Sequence, residues 1–268
     1  MRRVLTIAGS DSGAGAGIQA DLKTFAAHQV YGITAITAVT AQNTLGVTQF
    51  LALPSDLVTA QIEAVTSDIG VDAAKTGMLP NAAIVEAVAA AVEELEIPLL
   101  VVDPVMVAKS GDRLIDDEAL GALRAELLHH AFVVTPNIPE AEVLAGMTIV
   151  TDDDRRRAGE RILALGPTAV IIKGGHYGSD EIRDLLLDHR GFEEFVAERV
   201  ASTQTHGTGC TFSAALAAHL AIGHTLREAI PLVQRYIAGA IRESPGLGRG
   251  HGPMQHFWHH RPDRGGRL

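Results

Sequence analysis

The feature that most constrains this chain is its rhythm. Short runs rich in Val, Ile and Ala alternate with longer segments rich in Ala, Leu and Glu along most of its 268 residues. The runs Val4–Ala8, Ile33–Thr40, Val71–Lys75, Leu99–Asp103, Phe132–Thr135 and Ala169–Lys173 read as strands. Between them the pattern predicts helices over Ile18–His28, Ser55–Ile69, Asn81–Leu95, Asp117–Leu128, Ile138–Ala145 and Asp152–Leu165, several closed by glycine stop signals. Gln49–Leu53 reads as a short edge strand, Arg183–Val200 as a hairpin around His189-Arg190-Gly191, and Gly209–Ile222 with Leu226–Arg242 as two successive helices. Such alternation implies right-handed βαβ crossovers and a central, mostly parallel sheet, hence an α/β fold. Hydrophobic residues make up 47% of the chain but aromatics only 4%, so the core must be built from Ala, Val, Ile and Leu. Strands buried on both faces have that composition. No repeat and no linker divides the chain. One domain is expected over residues 1–257, followed by a terminal tail, residues 258–268, that is expected to be mobile.

The formal charge of -10 argues against nucleic acid or an anionic membrane as the main partner. It leaves room for a phosphorylated ligand held by backbone N–H groups, a helix N-terminus and a metal ion. The lone thiol, Cys210, can form no intrachain disulfide. The apolar run after Met1-Arg2-Arg3 stops at Gly9-Ser10-Asp11, too soon for a secretion signal, and no apolar run is long enough to span a bilayer. A cytoplasmic location is the expectation.

Several motifs sit where predicted strands end. The loop Ser10–Gly17 follows a strand and opens a helix, and Gly15–Ala20 fits G-x-G-x-x-A. A dinucleotide site would also need an acidic residue about 20 positions on. No Asp or Glu lies between Lys23 and Asp56, and no lysine follows a glycine, so neither that site nor a P-loop fits. The loop is read as a glycine-rich wall that lets a flat ligand approach the backbone. Asp21 is either an ordinary first-turn carboxylate or, with the amide of Gln42, a reader of a heterocycle's amino group and ring nitrogens. Asp103 ends a strand before Pro104, either as a turn residue or as a carboxylate that organises Mg²⁺ on nucleotide phosphates. Asn137 and Glu140 have capping-box spacing, compatible with a metal role at the same helix start. Lys173 ends another apolar strand before Gly174-Gly175, where it either reaches solvent or meets a nucleotide. In Thr205-His206-Gly207-Thr208-Gly209-Cys210 small residues lead into a helix whose unpaired N–H groups and dipole would attract a phosphoryl group. Cys210 in that first turn is either a small packing residue or a thiol whose pKa the helix start lowers. His256, His259 and His260 lack acidic neighbours and are not read as metal ligands.

Taken together, Leu5–Asp11 with Ala16–Thr24, Thr40–Thr44, Lys75–Leu79, Val102–Met106, Thr135–Glu142, Lys173–His176, His206–Ala215 and Gly250–Pro253 resemble the hydroxymethylpyrimidine/phosphomethylpyrimidine kinases of thiamine biosynthesis, in the ribokinase-like superfamily. The resemblance spans nearly the whole chain in order. It implies a three-layer α/β/α fold and two ATP-dependent steps, from 4-amino-5-hydroxymethyl-2-methylpyrimidine to its monophosphate and then its diphosphate. It implies that Gly9, Asp21 and Gln42 bind the aminopyrimidine and that Met78 and Val105 line its ring. Gly207, Thr208, Gly209 and Cys210 would form the anion hole, with the Cys210 thiolate as base. Asp103 and Glu140 would act through Mg²⁺ and its waters, Lys173 would touch ATP phosphate, and a homodimer is implied by the family alone. Ala14 stands where the family usually has glycine, and residues beyond Phe257 pass its usual end. The rival readings are a pyridoxine or pyridoxal kinase on the same fold and a non-catalytic pyrimidine-binding sensor.

Overall fold

The computed structural model describes residues 1–107, 111, 114–174 and 180–260. Gly175 and His176 of the quoted motif, and residues 261–268 of the expected tail, lie outside the described residues. Among the described residues one nine-stranded sheet forms in the order β3-β2-β1-β4-β5-β6-β7-β8-β9. Its strands are β1 (Arg3–Asp11), β2 (Tyr31–Asn43), β3 (Gly46–Ala52), β4 (Ala73–Thr76), β5 (Leu100–Val102), β6 (Val133–Val134), β7 (Ala169–Ile172), β8 (Glu181–Asp188) and β9 (Gly191–Glu198). The block from β2 to β7 is parallel. The hairpin partners β3, β8 and β9 are antiparallel.

Side chains on successive strand residues point to opposite faces, and the central strands feed two cores in that way. Leu5, Ile7, Leu100, Val102, Val134, Val170 and Ile172 enter one core, packed against α2 (Ser55–Asp68), α3 (Ala82–Glu94), α5 (Ile138–Ala145) and α6 (Asp152–Leu163). Val4, Val101, Val133, Ala169 and Ile171 enter the other, against α1 (Gly17–Ala27), α7 (Thr208–Ala221) and α8 (Leu226–Arg242). The short α4 (Asp117–Ala122) adds to the first layer. The expected three-layer α/β/α architecture is therefore present. Helix α7 is buried on every side from Thr211 to Ala221, and its run of alanines is what allows it to lie so close to the sheet.

Local signals set several helix starts. Asn137 and Glu140 form the expected capping box on α5, and Thr225 with Glu228 forms another on α8. Several strands run past their expected bounds, β1 as far as Asp11 and β3 from Gly46. β2 runs past Thr40 to Asn43 and pairs with β3, so Gln42 lies on a strand rather than in a loop. A register shift between Ala41 and Gln42 marks a bulge there. Such bulges re-aim side chains. Packing also continues beyond Phe257: Trp258 Nε1 donates to Tyr236 O at 3.1 Å, and His259 Nε2 lies 3.2 Å from Ala27 O.

Two histidines are locked into the α7 layer. Burial, with His28 and His224 alongside, lowers His219 to about 4. Burial likewise lowers His256 to about 4, where its Nε2 lies 3.1 Å from Thr211 Oγ1. An unfolded histidine titrates near 6.5, so the unfolded chain takes up these protons first. The associated stability is complete above about pH 6.5 and is lost as pH falls toward 4. Each histidine should remove about 2 kcal/mol of stability by pH 5. Urea unfolding at pH 7 and pH 5 measures this, and an unchanged midpoint would contradict it.

Candidate active site

The parallel strands point their carboxyl ends to one edge of the sheet. The chain places β2 on one side of β1 and β4 on the other, so winding reverses between β1 and β4. Open α/β sheets bind ligands in the crevice outside such a switch point. A cavity of about 700 Å³ opens there. One end is lined by Gly9, Gln42, Met78, Val105 and Leu114, an apolar slot with one carboxamide. The far end, between α8 and the β8–β9 hairpin, is lined by Ile182, Val200, Ile237 and Ile241. Lys75, Asp103, Lys173 and the turn Gly207–Cys210 lie between the two ends.

That turn is the start of α7. Gly207 is its N-cap, with φ 79° and no side-chain cap. A Cβ on Gly207 would come 1.9 Å from Gly15 O, so both the backbone angle and the space demand glycine. The first-turn amides of a helix without a side-chain cap are a ready anion site. Cys210 is half-buried and faces the cavity, and the Gly17 amide hydrogen-bonds to it. It is therefore not a sulfur packed in hydrocarbon. The expectation of a lowered pKa is not met, however. Burial pushes the thiol up to about 11; Asp103 and Asp21 push the same way, while Lys75 and the Gly17 amide pull down. The helix start alone does not outweigh loss of water and two carboxylates.

Asp103 pairs with Lys173, whose Nζ lies 3.1 Å from Oδ1. The second oxygen, Oδ2, is buried and has no hydrogen-bond partner. Glu140 Oε2 accepts from Asn137 N at 2.8 Å, and burial raises its carboxyl to about 7 against the pull of Lys173. Among the described residues no three His, Cys, Asp or Glu side chains cluster to hold a metal by themselves. The orphaned Asp103 oxygen does fit a cation that shares its ligands with phosphate oxygens.

Asp21 does not reach the cavity. Its Oδ2 accepts from Thr6 Oγ1 at 2.6 Å and from Lys75 Nζ at 2.9 Å, and both members of the ion pair are fully buried. With its oxygens committed beneath the floor, it cannot read the ligand as expected. Lys75 faces the cavity instead. Burial would lower its pKa, but Asp21, Cys210 and Asp103 raise it, so the ammonium stays charged. The sequence reading missed Lys75 as a site residue. The available signal was a lysine on a four-residue strand that is buried at every position. Asp11 and His206, also passed over, hydrogen-bond at 2.9 Å along the same wall.

The phosphomethylpyrimidine kinase family matches residues 11–255. The chain belongs to that family. It is 48% identical over 256 residues to the hydroxymethylpyrimidine/phosphomethylpyrimidine kinase of Bacillus subtilis, covering 95% of this chain and 94% of that one. It is 51% identical over 254 residues to the thiamine biosynthesis bifunctional protein ThiED of Geobacter sulfurreducens, covering 95% of this chain but only 52% of that longer protein. Its backbone superposes on the ADP complex of Bacillus subtilis pyridoxal kinase with TM-score 0.87 at 42% identity, covering 96% of this chain and 97% of that one. The fold is thus ribokinase-like, and the family's enzymes are phosphotransferases.

Within this family frame the structure brings Gly9, Gln42, Met78, Val105, Asp103, Glu140, Lys173 and Gly207–Cys210 around one cavity and leaves Asp21 below it. No helix among the described residues is long and apolar enough to cross a membrane. A thiol near 11 predicts that Cys210 alkylation by iodoacetamide keeps accelerating with pH through pH 9.5. A rate that levels off below pH 8 would show that the thiolate is already formed.

Proposed function

We propose that this protein transfers the γ-phosphoryl group of ATP to the hydroxymethyl oxygen of 4-amino-5-hydroxymethyl-2-methylpyrimidine, and then to the resulting monophosphate, in thiamine biosynthesis. The observation that carries this reading is that one cavity holds the Gln42 slot, Cys210 with its glycine turn, and Lys173, Asp103 and Glu140, with Gly209 lying directly against Lys173 and Asp103. An alcohol in the slot and a nucleotide from the other side would meet at the start of α7.

The ring lies between Met78 and Val105, and the Gln42 carboxamide hydrogen-bonds its edge. The adenine occupies the apolar end beside Ile237 and Ile241. The γ-phosphoryl group rests on the amides of the Gly207–Cys210 turn, with Lys173 beside it. Asp103, through its orphaned oxygen, and Glu140 would hold the Mg²⁺ that accompanies ATP, which neutralises phosphate charge when bound. As the hydroxymethyl oxygen bonds to phosphorus, the P–O bond to ADP breaks and its electron pair leaves with ADP. Cys210 accepts the hydroxyl proton only as thiolate, a form that burial opposes, as do Asp103 and Asp21, while Lys75 favours it, so the thiol has to lose its own proton in the loaded site first. Because phosphoryl transfer is loose, positioning and charge neutralisation contribute most of the acceleration.

Two outcomes test this reading. Cys210→Ala should lower kcat by about 10²- to 10⁴-fold while the Kd for the pyrimidine alcohol changes little; full turnover in that variant removes Cys210 as the base. Gln42→Ala should raise KM for the pyrimidine with a smaller effect on kcat. Pyridoxal is the competing alcohol, favoured by the close superposition on a pyridoxal kinase. A kcat/KM for pyridoxal above that for the pyrimidine would overturn the substrate assignment.

A further inference from the structure

The mechanism leaves unused a buried pair, Asp11 and His206, that touches both halves of the site. Asp11 ends β1 and is 3% exposed, and His206 precedes the α7 turn and is 8% exposed. His206 Nε2 lies 2.9 Å from Asp11 Oδ2. A carboxylate accepts only, so this nitrogen carries the proton and donates it. The remaining capacity of Asp11 goes to the glycine-rich loop. Oδ1 accepts from Gly13 N at 2.7 Å, and Oδ2 accepts from Gly15 N at 3.0 Å and Ala16 N at 2.8 Å. Burial pushes the Asp11 carboxyl up, but the His206 bond and these amides outweigh it and hold the group ionised below its usual range.

The consequence is mechanical. The loop is closed against the imidazole so tightly that a Cβ on Gly15 would come 2.3 Å from His206 Cδ2. The same loop supplies the Gly17 amide that bonds to Cys210. Beside the same ring nitrogen, the Gln42 carboxamide lies 3.4 Å from His206 Nε2, with its other end 3.2 Å from Thr40 Oγ1, whose own proton goes to Ser10 O at 3.0 Å. Because that nitrogen carries the proton given to Asp11, an amide NH2 finds no acceptor there; the carboxamide oxygen is the end that suits the imidazole, which leaves the amide nitrogen to donate to Thr40 Oγ1. A carboxamide offers a donor at one end and an acceptor at the other. Its orientation therefore decides how it reads a ring nitrogen next to an amino group.

We propose that His206, locked by Asp11, is a positioning residue that holds the Gly207–Cys210 turn against the glycine-rich loop and orients the Gln42 carboxamide toward the substrate ring. It touches neither the phosphoryl group nor the reacting oxygen and acts through the residues on either side of it. The substrate named here rests on the function proposed above; the coupling between His206 and Gln42 does not.

The test is a double-mutant cycle on the full chain with His206→Leu, Gln42→Ala and the double variant. It reads kcat, the Kd of the pyrimidine alcohol by calorimetry without ATP, and Tm. His206→Leu should lower kcat about tenfold or more and weaken pyrimidine binding by about tenfold, and the binding loss should vanish in the Gln42→Ala background. His206→Gln, whose Nε2 can still donate to Asp11, should regain most of kcat. Binding losses that simply multiply in the double variant would overturn the proposal, as would wild-type kcat in His206→Leu. Should that variant fail to fold, His206→Phe, which keeps a ring against Gly15 but cannot donate to Asp11, must show the same split between kcat and Kd, and wild-type values there also overturn it. If the protein prefers pyridoxal, the substrate assignment falls and the same cycle is read with pyridoxal.

Discussion

The buried ion pair between Lys75 and Asp21 is the interaction on which the rest of the site depends. It joins β4 to α1, and Thr6 of β1 completes it with a 2.6 Å hydrogen bond. These three elements meet where the sheet reverses its winding, directly under the cavity. Two charges removed from water are tolerated only when geometry and extra hydrogen bonds compensate them. Removing one partner of such a pair costs about 3–5 kcal/mol, because the other charge is left unpaired. The pair therefore constrains the packing of α1 on the sheet, and it fixes a permanent cation in the cavity floor. That cation pulls the Cys210 thiol down while burial and two carboxylates push it up.

A protein with net charge -10 has no general reason to attract nucleotide phosphates. The cavity resolves this locally. Lys75 and Lys173 are each tied to a carboxylate, so the site is close to electrically balanced rather than a basic patch. Attraction for phosphate must then come from oriented amides at the start of α7 and from whatever cation completes Asp103 Oδ2. Short-range, directional groups of this kind act on a phosphoryl group already in place. They are poorly suited to drawing anions from a distance.

Much of this was legible along the chain. The strand–helix rhythm led directly to the three layers, because a parallel strand buried on both faces has to be apolar throughout. The capping box at Asn137 and Glu140 was readable because its parts are three residues apart. The glycine-rich loop was found, but its purpose was misread in part. Gly15 makes room for His206, which lies 191 positions further on and is invisible to local reasoning. Asp21 was left open by its local position and given to the ligand by the family resemblance; its partner on β4, invisible along the chain, takes up its charge instead. Lys75 was hidden inside an apolar strand, where a lone lysine reads as an exception rather than a floor. Gln42 was expected in a loop, although pairing with β3 extends its strand.

The amino-acid sequence by itself determined the fold class, the family, the edge of the sheet where chemistry gathers and most of the side chains found there, because hydrophobic periodicity, caps and glycine turns are local signals. Only the tertiary structure decided which charges face one another. A carboxylate binds ligand or lysine, and a thiol is acidic or inert, according to neighbours that folding brings together from distant positions. Burial then multiplies the strength of those contacts by removing the water that would otherwise screen them.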